Sequence, residues 1–170
     1  MSLEDHVNIR YLVFCGKLTP HGILNKFEFR EQAPASLCTP HTDNQVGPDP
    51  DATRALITSI VKRHNDEIML IKNWRCVMCG KRAKELLHSA VSLLSPNWDR
   101  APADFEPTVV DNVAPICISG GACDREAEHW VNAYARSAQM SGPSFEALRN
   151  CDKCGKKSGV KLCGGCKDVT

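Results

Sequence analysis

Trp74-Arg75-Cys76-Val77-Met78-Cys79-Gly80-Lys81 is the stretch that organises the chain. Cys76 and Cys79 stand two residues apart, so both thiolates can face one ion. Gly80 lets the turn close with backbone amides near the sulfurs. One such pair supplies half of a tetrahedral site. Cys117 and Cys123 are the best donors of the other half. Cys117 ends a strand-like run, Thr108 to Ala114 followed by Pro115-Ile116. Cys123 opens a helix, where the positive end of the dipole favours a thiolate. A knuckle followed by ligands at the start of a helix is the layout of a treble-clef zinc site. The long interval between Cys79 and Cys117 has room for a β-hairpin and a loop.

Outward from this centre, the clearest helix lies just upstream. Leu56, Ile57, Ile60, Val61, His64, Ile68 and Ile71 follow i, i+3, i+4 spacing and predict a helix over 51–72. Asp49 or Asp51 caps its start, and Pro50 suits the first turn. Further upstream, Asn8 to Cys15 is β-rich in composition, and Lys26-Phe27-Glu28-Phe29-Arg30 alternates with period 2, so two strands are expected. Ala33 to Pro50 carries four prolines and reads as a loop. Downstream, Leu86 to Leu94 is apolar without a decisive period. Pro96 to Pro107 reads as a loop, and Asp99, Asp104, Glu106 and Asp111 as solvated acids. A second helix carries Ala127, Trp130, Val131, Tyr134 and Ala138 on one stripe, and Gly142-Pro143 ends it.

The composition agrees with a metal protein. Ten cysteines in 170 residues is dense for a reducing compartment and sparse for a disulfide scaffold. The start, Met1-Ser2-Leu3-Glu4-Asp5-His6, has no apolar signal region, so an intracellular, cytoplasmic or nuclear, protein is expected. No apolar run reaches the roughly 18 residues of a membrane span. The formal charge of +1 excludes a strongly basic nucleic-acid binder.

The last twenty residues contain a second constellation, Cys151-x2-Cys154-x8-Cys163-x2-Cys166, with basic and small residues between the pairs. Two such pairs so close are a strong metal signal. This segment resembles the first half of a MYND-type zinc finger. The region from Trp74 through Cys117 to Cys123-Asp124-Arg125-Glu126-Ala127 resembles what precedes such fingers in uncharacterised fungal proteins. The resemblance implies two zinc sites in a cross-brace, with Cys151 and Cys154 beginning one and Cys163 and Cys166 the other. The third and fourth ligand pairs of that pattern are not in this sequence. The four cysteines then either share one zinc, stay free of metal, or belong to a fragment. The resemblance further implies an adaptor role toward partner proteins, although the family's peptide-binding surface uses the later part of the finger.

The expected fold is therefore α+β: a small treble-clef-like zinc domain with an amphipathic helix and an incomplete C-terminal finger. Residues 1–50 form an irregular, strand-containing segment that can add strands to it. The zinc domain covers 51–140, a linker 141–150 and the partial finger 151–170. The expected function is structural zinc binding in a protein–protein interaction module. Two alternatives stay open. One is a zinc enzyme with Cys76, Cys79 and one of His88, Cys117 or Cys123 as ligands, a water in the fourth position, and Glu85 or Glu126 as base. The other is nucleic-acid binding by the tail, whose six basic and two acidic side chains over 149–170 give +4. Two four-thiolate zinc sites at −2 each would carry the whole chain from +1 to −3, which disfavours phosphate binding. Weaker candidates are a third site from Cys15, His21, Cys38 and His41, and His129 near Cys123.

Overall fold

A computed structural model describes residues 5–16, 25–41, 47–95 and 104–140, with side chains in the last segment described through residue 133. Four strands build one mixed sheet: β1 (His6–Cys15), β2 (Asn25–Pro34), β3 (Glu85–Leu93) and β4 (Thr108–Ile116), in the order β2-β1-β4-β3. Three helices accompany it: α1 (Ala35–Cys38), α2 (Pro50–Ile71) and α3 (Ala122–Met140). The chain is thus α+β, and the N-terminal strands share one sheet with those that flank the cysteines.

β1 is an interior strand. It runs antiparallel to β2, from His6↔Pro34 to Cys15↔Asn25, and parallel to β4, from Arg10↔Thr108 to Cys15↔Val113. Both of its faces are covered, which is why Tyr11-Leu12-Val13-Phe14-Cys15 is a continuous buried run. All nine residues of β4 are buried for the same reason. β2 lies at an edge and alternates, with Phe27 and Phe29 half-buried and Lys26, Glu28 and Arg30 exposed.

α2 covers one face. Its start matches the sequence expectation: Asp49 Oδ1 accepts from the Asp51 and Ala52 amides at 2.9 and 3.4 Å, and Pro50 occupies the first turn. Ile60 and Ile68 are fully buried against Ile9, Tyr11, Val13, Val109 and Val113. Burying side chains of this size stabilises by about 1.5–3 kcal/mol each. α3 covers the other face, where Ala127 and Val131 pack on Ala114 and Ile116. Trp74 ties the chain after α2 to the first core. Its Nε1 donates to the Ile68 carbonyl at 2.8 Å and its ring meets Phe27 edge-on.

Three expectations change. The segment from Leu86 to Leu94, undecided in sequence, is strand β3. The Ala33–Pro50 loop contains the single-turn helix α1 and the last residues of β2. Asp111 is not a solvated acid: it is fully buried in β4, on the face that carries Val109 and Val113.

Candidate metal centre and a buried polar belt

The knuckle is a tight turn built by its own backbone. The Cys76 amide donates to the Lys81 carbonyl at 2.7 Å, and the Gly80 amide to the Cys76 carbonyl at 2.9 Å. Gly80 has φ +73°, a left-handed conformation that a side chain would strain. The turn is then fastened to the sheet. The Val77 amide donates to the Pro115 carbonyl at 3.0 Å, and Lys84 to that of Ile116 at 2.9 Å. β4 ends at Ile116, so Cys117 emerges beside the knuckle. A turn with Gly120 at φ +71° follows, closed by Asp124 Oδ2 accepting from the Gly120 amide at 2.6 Å. That turn starts α3 and delivers Cys123 in its first turn.

The result is a four-sulfur cluster. The Sγ atoms of Cys76, Cys79, Cys117 and Cys123 all lie within 4.8 Å of one another. Cys79 Sγ and Cys117 Sγ are 3.7 Å apart. A tetrahedron with metal–sulfur bonds of roughly 2.3 Å has an edge of about 3.8 Å, so the spacing fits a thiophilic divalent ion. Cys76 is buried and Cys79 exposed, with Cys117 and Cys123 between. The electrostatics favour one thiolate first. Burial opposes ionisation of Cys76, but backbone amides of Cys79, Met78 and Cys117, with the Cys79 thiol, outweigh it and bring Cys76 down to about 6. Hydrogen bonding to Cys79 and burial, with the neighbouring sulfurs, push Cys123 up to about 12 and raise Cys117. Ionising all four at this spacing would require a cation among them.

The remaining sequence candidates fall elsewhere. His88 faces α2 on the opposite side of the sheet from α3, with Nδ1 2.7 Å from Asp111 Oδ2 and Nε2 3.1 Å from Asn65 Oδ1. Glu85, Glu126 and His129 are exposed. Cys15 is buried in the sheet and His41 Nδ1 contacts Ser95 Oγ at 2.8 Å. Among the described residues, Cys15, Cys38 and His41 form no group with ligand spacing. His21, Cys151, Cys154, Cys163 and Cys166 lie outside the described residues.

Sequence reasoning missed a belt of polar side chains beneath α2. Tyr11 O–H donates to Asp111 Oδ2 at 2.6 Å, and the Ser89 amide donates to Asp111 Oδ1 at 3.1 Å. Together with His88, this gives the buried carboxylate three partners. Alongside, His64 Nε2 lies 2.6 Å from Glu31 Oε1, and Arg63 pairs with the same carboxylate. His64 also stacks on Phe29 at 4.1 Å. The available signal was register: Asp111 falls two residues from both Val109 and Val113, on an inward face. Comparison with family models, with curated proteins and with solved structures finds no match for the chain. Among the described residues, no helix is long and apolar enough to cross a membrane.

Proposed function

We propose that the chain is a structural zinc protein that acts as a protein–protein interaction module, with a treble-clef-like centre made by Cys76, Cys79, Cys117 and Cys123. One observation carries this reading: a knuckle, the end of a strand and the first turn of a helix deliver four thiols within 4.8 Å of one another. An all-thiolate set suits zinc, and four protein ligands leave no coordination position for a substrate or water. Such a site holds shape. His88 and the acids Glu85 and Glu126 stand apart from it, which takes support from the zinc-enzyme alternative. The compartment proposed is cytoplasmic or nuclear, where thiols stay reduced.

The MYND-type resemblance of Cys151, Cys154, Cys163 and Cys166 belongs to the same proposal as a second zinc-binding segment. Native mass spectrometry of zinc per chain tests both parts. Cys76→Ser is expected to lose one zinc and the fixed position of α3. Retention of every zinc by Cys76→Ser overturns the central site. A zinc lost in Cys151→Ser supports metal binding by the tail, and an unchanged count refutes it.

A further inference from the structure

The two edges of the sheet are built differently. β2 is guarded: Lys26, Glu28 and Arg30 are exposed along it and Pro34 closes it. Charges and proline are the usual protection of an edge strand against pairing with another chain. β3, the opposite edge, reads Glu-Leu-Leu-His-Ser-Ala-Val-Ser-Leu. After Glu85 it carries no Lys, Arg, Asp or Pro, and among the described residues no strand pairs with its outer side.

A groove runs beside this unguarded edge, between α2 and β3. One part, of about 620 Å³, is lined by Ile57, Val61, Lys62, Asn65, His88 and Ala90, among others. A second part, of about 440 Å³, shares Ile57 and Ala90 with it and continues past Arg54 to Ser92. The middle is aliphatic. Lys62 and Arg54 stand exposed on the helix side, Arg54 with Asp51 at 3.4 Å. The far end is polar, where Asn65 donates to Asp66 and contacts His88.

The geometry points to a docking site for an extended peptide segment of a partner protein, which adds to β3 as a fifth strand. Main-chain hydrogen bonds to the outer edge of β3 supply affinity, and alternate side chains enter the groove. The peptide it fits has an aliphatic residue over Ile57, Val61 and Ala90, and an acidic residue facing Lys62, since Arg54 is already paired with Asp51. A second copy of this chain fits less well. Antiparallel pairing of two β3 edges would bring the same cations of both copies together. The inference rests on the interaction-module reading but not on the metal.

The test uses the full chain with zinc per chain measured in the same samples. Random linear octapeptides are displayed against it, and an enriched peptide is synthesised for fluorescence anisotropy. Alternating aliphatic positions with an acidic residue are expected. N-methylation of successive peptide bonds should weaken binding with period two, because only every second amide of an added strand pairs with its neighbour. Lys62→Glu, on the exposed helix surface, should weaken the acidic peptide roughly tenfold at low salt. The same peptide with its acid changed to Lys should regain affinity for Lys62→Glu. No enrichment, an N-methyl profile without period two, indifference to Lys62→Glu, or a β3-paired homodimer each overturns the proposal. Zinc present with no peptide bound leaves the metal centre standing and removes only this surface. Peptide binding without zinc does the reverse.

Discussion

Removing one oxygen from the buried belt tests how the sheet is held together. In Tyr11→Phe the ring keeps its place against Phe29, 5.8 Å away, and His64, 5.5 Å away. Only the O–H that donates to Asp111 Oδ2 at 2.6 Å is lost. Asp111 is fully buried, so no water replaces the donor; the Ser89 amide and His88 remain. A hydrogen bond to a charged acceptor contributes about 1.5–3 kcal/mol, and one left unmade in the interior loses that in full. For a chain of this size each kcal/mol shifts the midpoint by about 2–4 °C, so Tm should fall by about 3–12 °C. The assay is thermal unfolding by circular dichroism at neutral pH, with equal zinc content in both proteins. The pH dependence supplies an internal check. Burial first, then Asp111, push the Tyr11 hydroxyl far above its ordinary value of 10. A raised value in the folded state stabilises fully below the unfolded value and is lost as pH rises beyond it. The gap between wild type and Tyr11→Phe should therefore be constant up to about pH 10 and shrink above it. A Tm within a degree of wild type, or a gap that widens in alkali, would refute the reasoning.

Four other outcomes are expected. Burial pushes the Cys15 thiol up to about 12 from its ordinary 9.0, so stability should decline from about pH 9 upward, and less steeply in Cys15→Ala when followed by urea unfolding. Gly80→Ala should weaken zinc retention in a chelator competition. A Cβ there meets nothing within 4 Å, so the penalty is the left-handed backbone, about 1–2 kcal/mol. Asp49→Ala removes the α2 cap and should cost about 1 kcal/mol in chemical denaturation, with zinc content unchanged. Chelation of zinc should raise hydrogen exchange across α3 and the knuckle well before β1 and β4 lose protection.

Local signals were legible in the sequence wherever a short stretch decides its own conformation. Asp49, Pro50 and the stripe from Leu56 to Ile71 place α2 within a residue at each end. The pairs Cys76/Cys79 and Cys117/Cys123 are also short-range features. Their convergence is not: it depends on the pairing that sets Glu85 opposite Ile116 and so brings the knuckle level with the end of β4. β3 was unreadable because both of its faces are used. His88 and Ala90 face α2, while Leu87 and Ser89 face α3, where Ser89 Oγ donates to Asn132 Oδ1 at 3.0 Å. That mixture erases the alternation a half-buried strand would show. Asp111 misled for a related reason. A carboxylate reads as exposed unless its partners are known, and Tyr11 lies 100 residues away.

The two faces of the sheet divide the work of holding the fold. The α2 face is closed by a large aliphatic cluster and by Asp111, Glu31 and their partners, which fix α2 across all four strands. On the α3 face, among the described residues, Ala127 and Val131 are buried against Ala114 and Ile116, with Trp130, Val77, Met78 and Leu87 packed half-buried around them. A metal held by Cys76, Cys79, Cys117 and Cys123 would join the knuckle, the end of β4 and the first turn of α3 at one point beside these contacts. Structural zinc sites contribute about 10–16 kcal/mol of apparent binding energy, comparable to the whole stability of an ordinary domain. The proposed zinc would therefore add to the packing that fixes α3 at this end of the molecule. The docking groove lies on the other face, beside a helix the apolar core already holds. Partner binding at β3 and metal binding at the thiols are therefore separable, and a variant that impairs one leaves the other measurable.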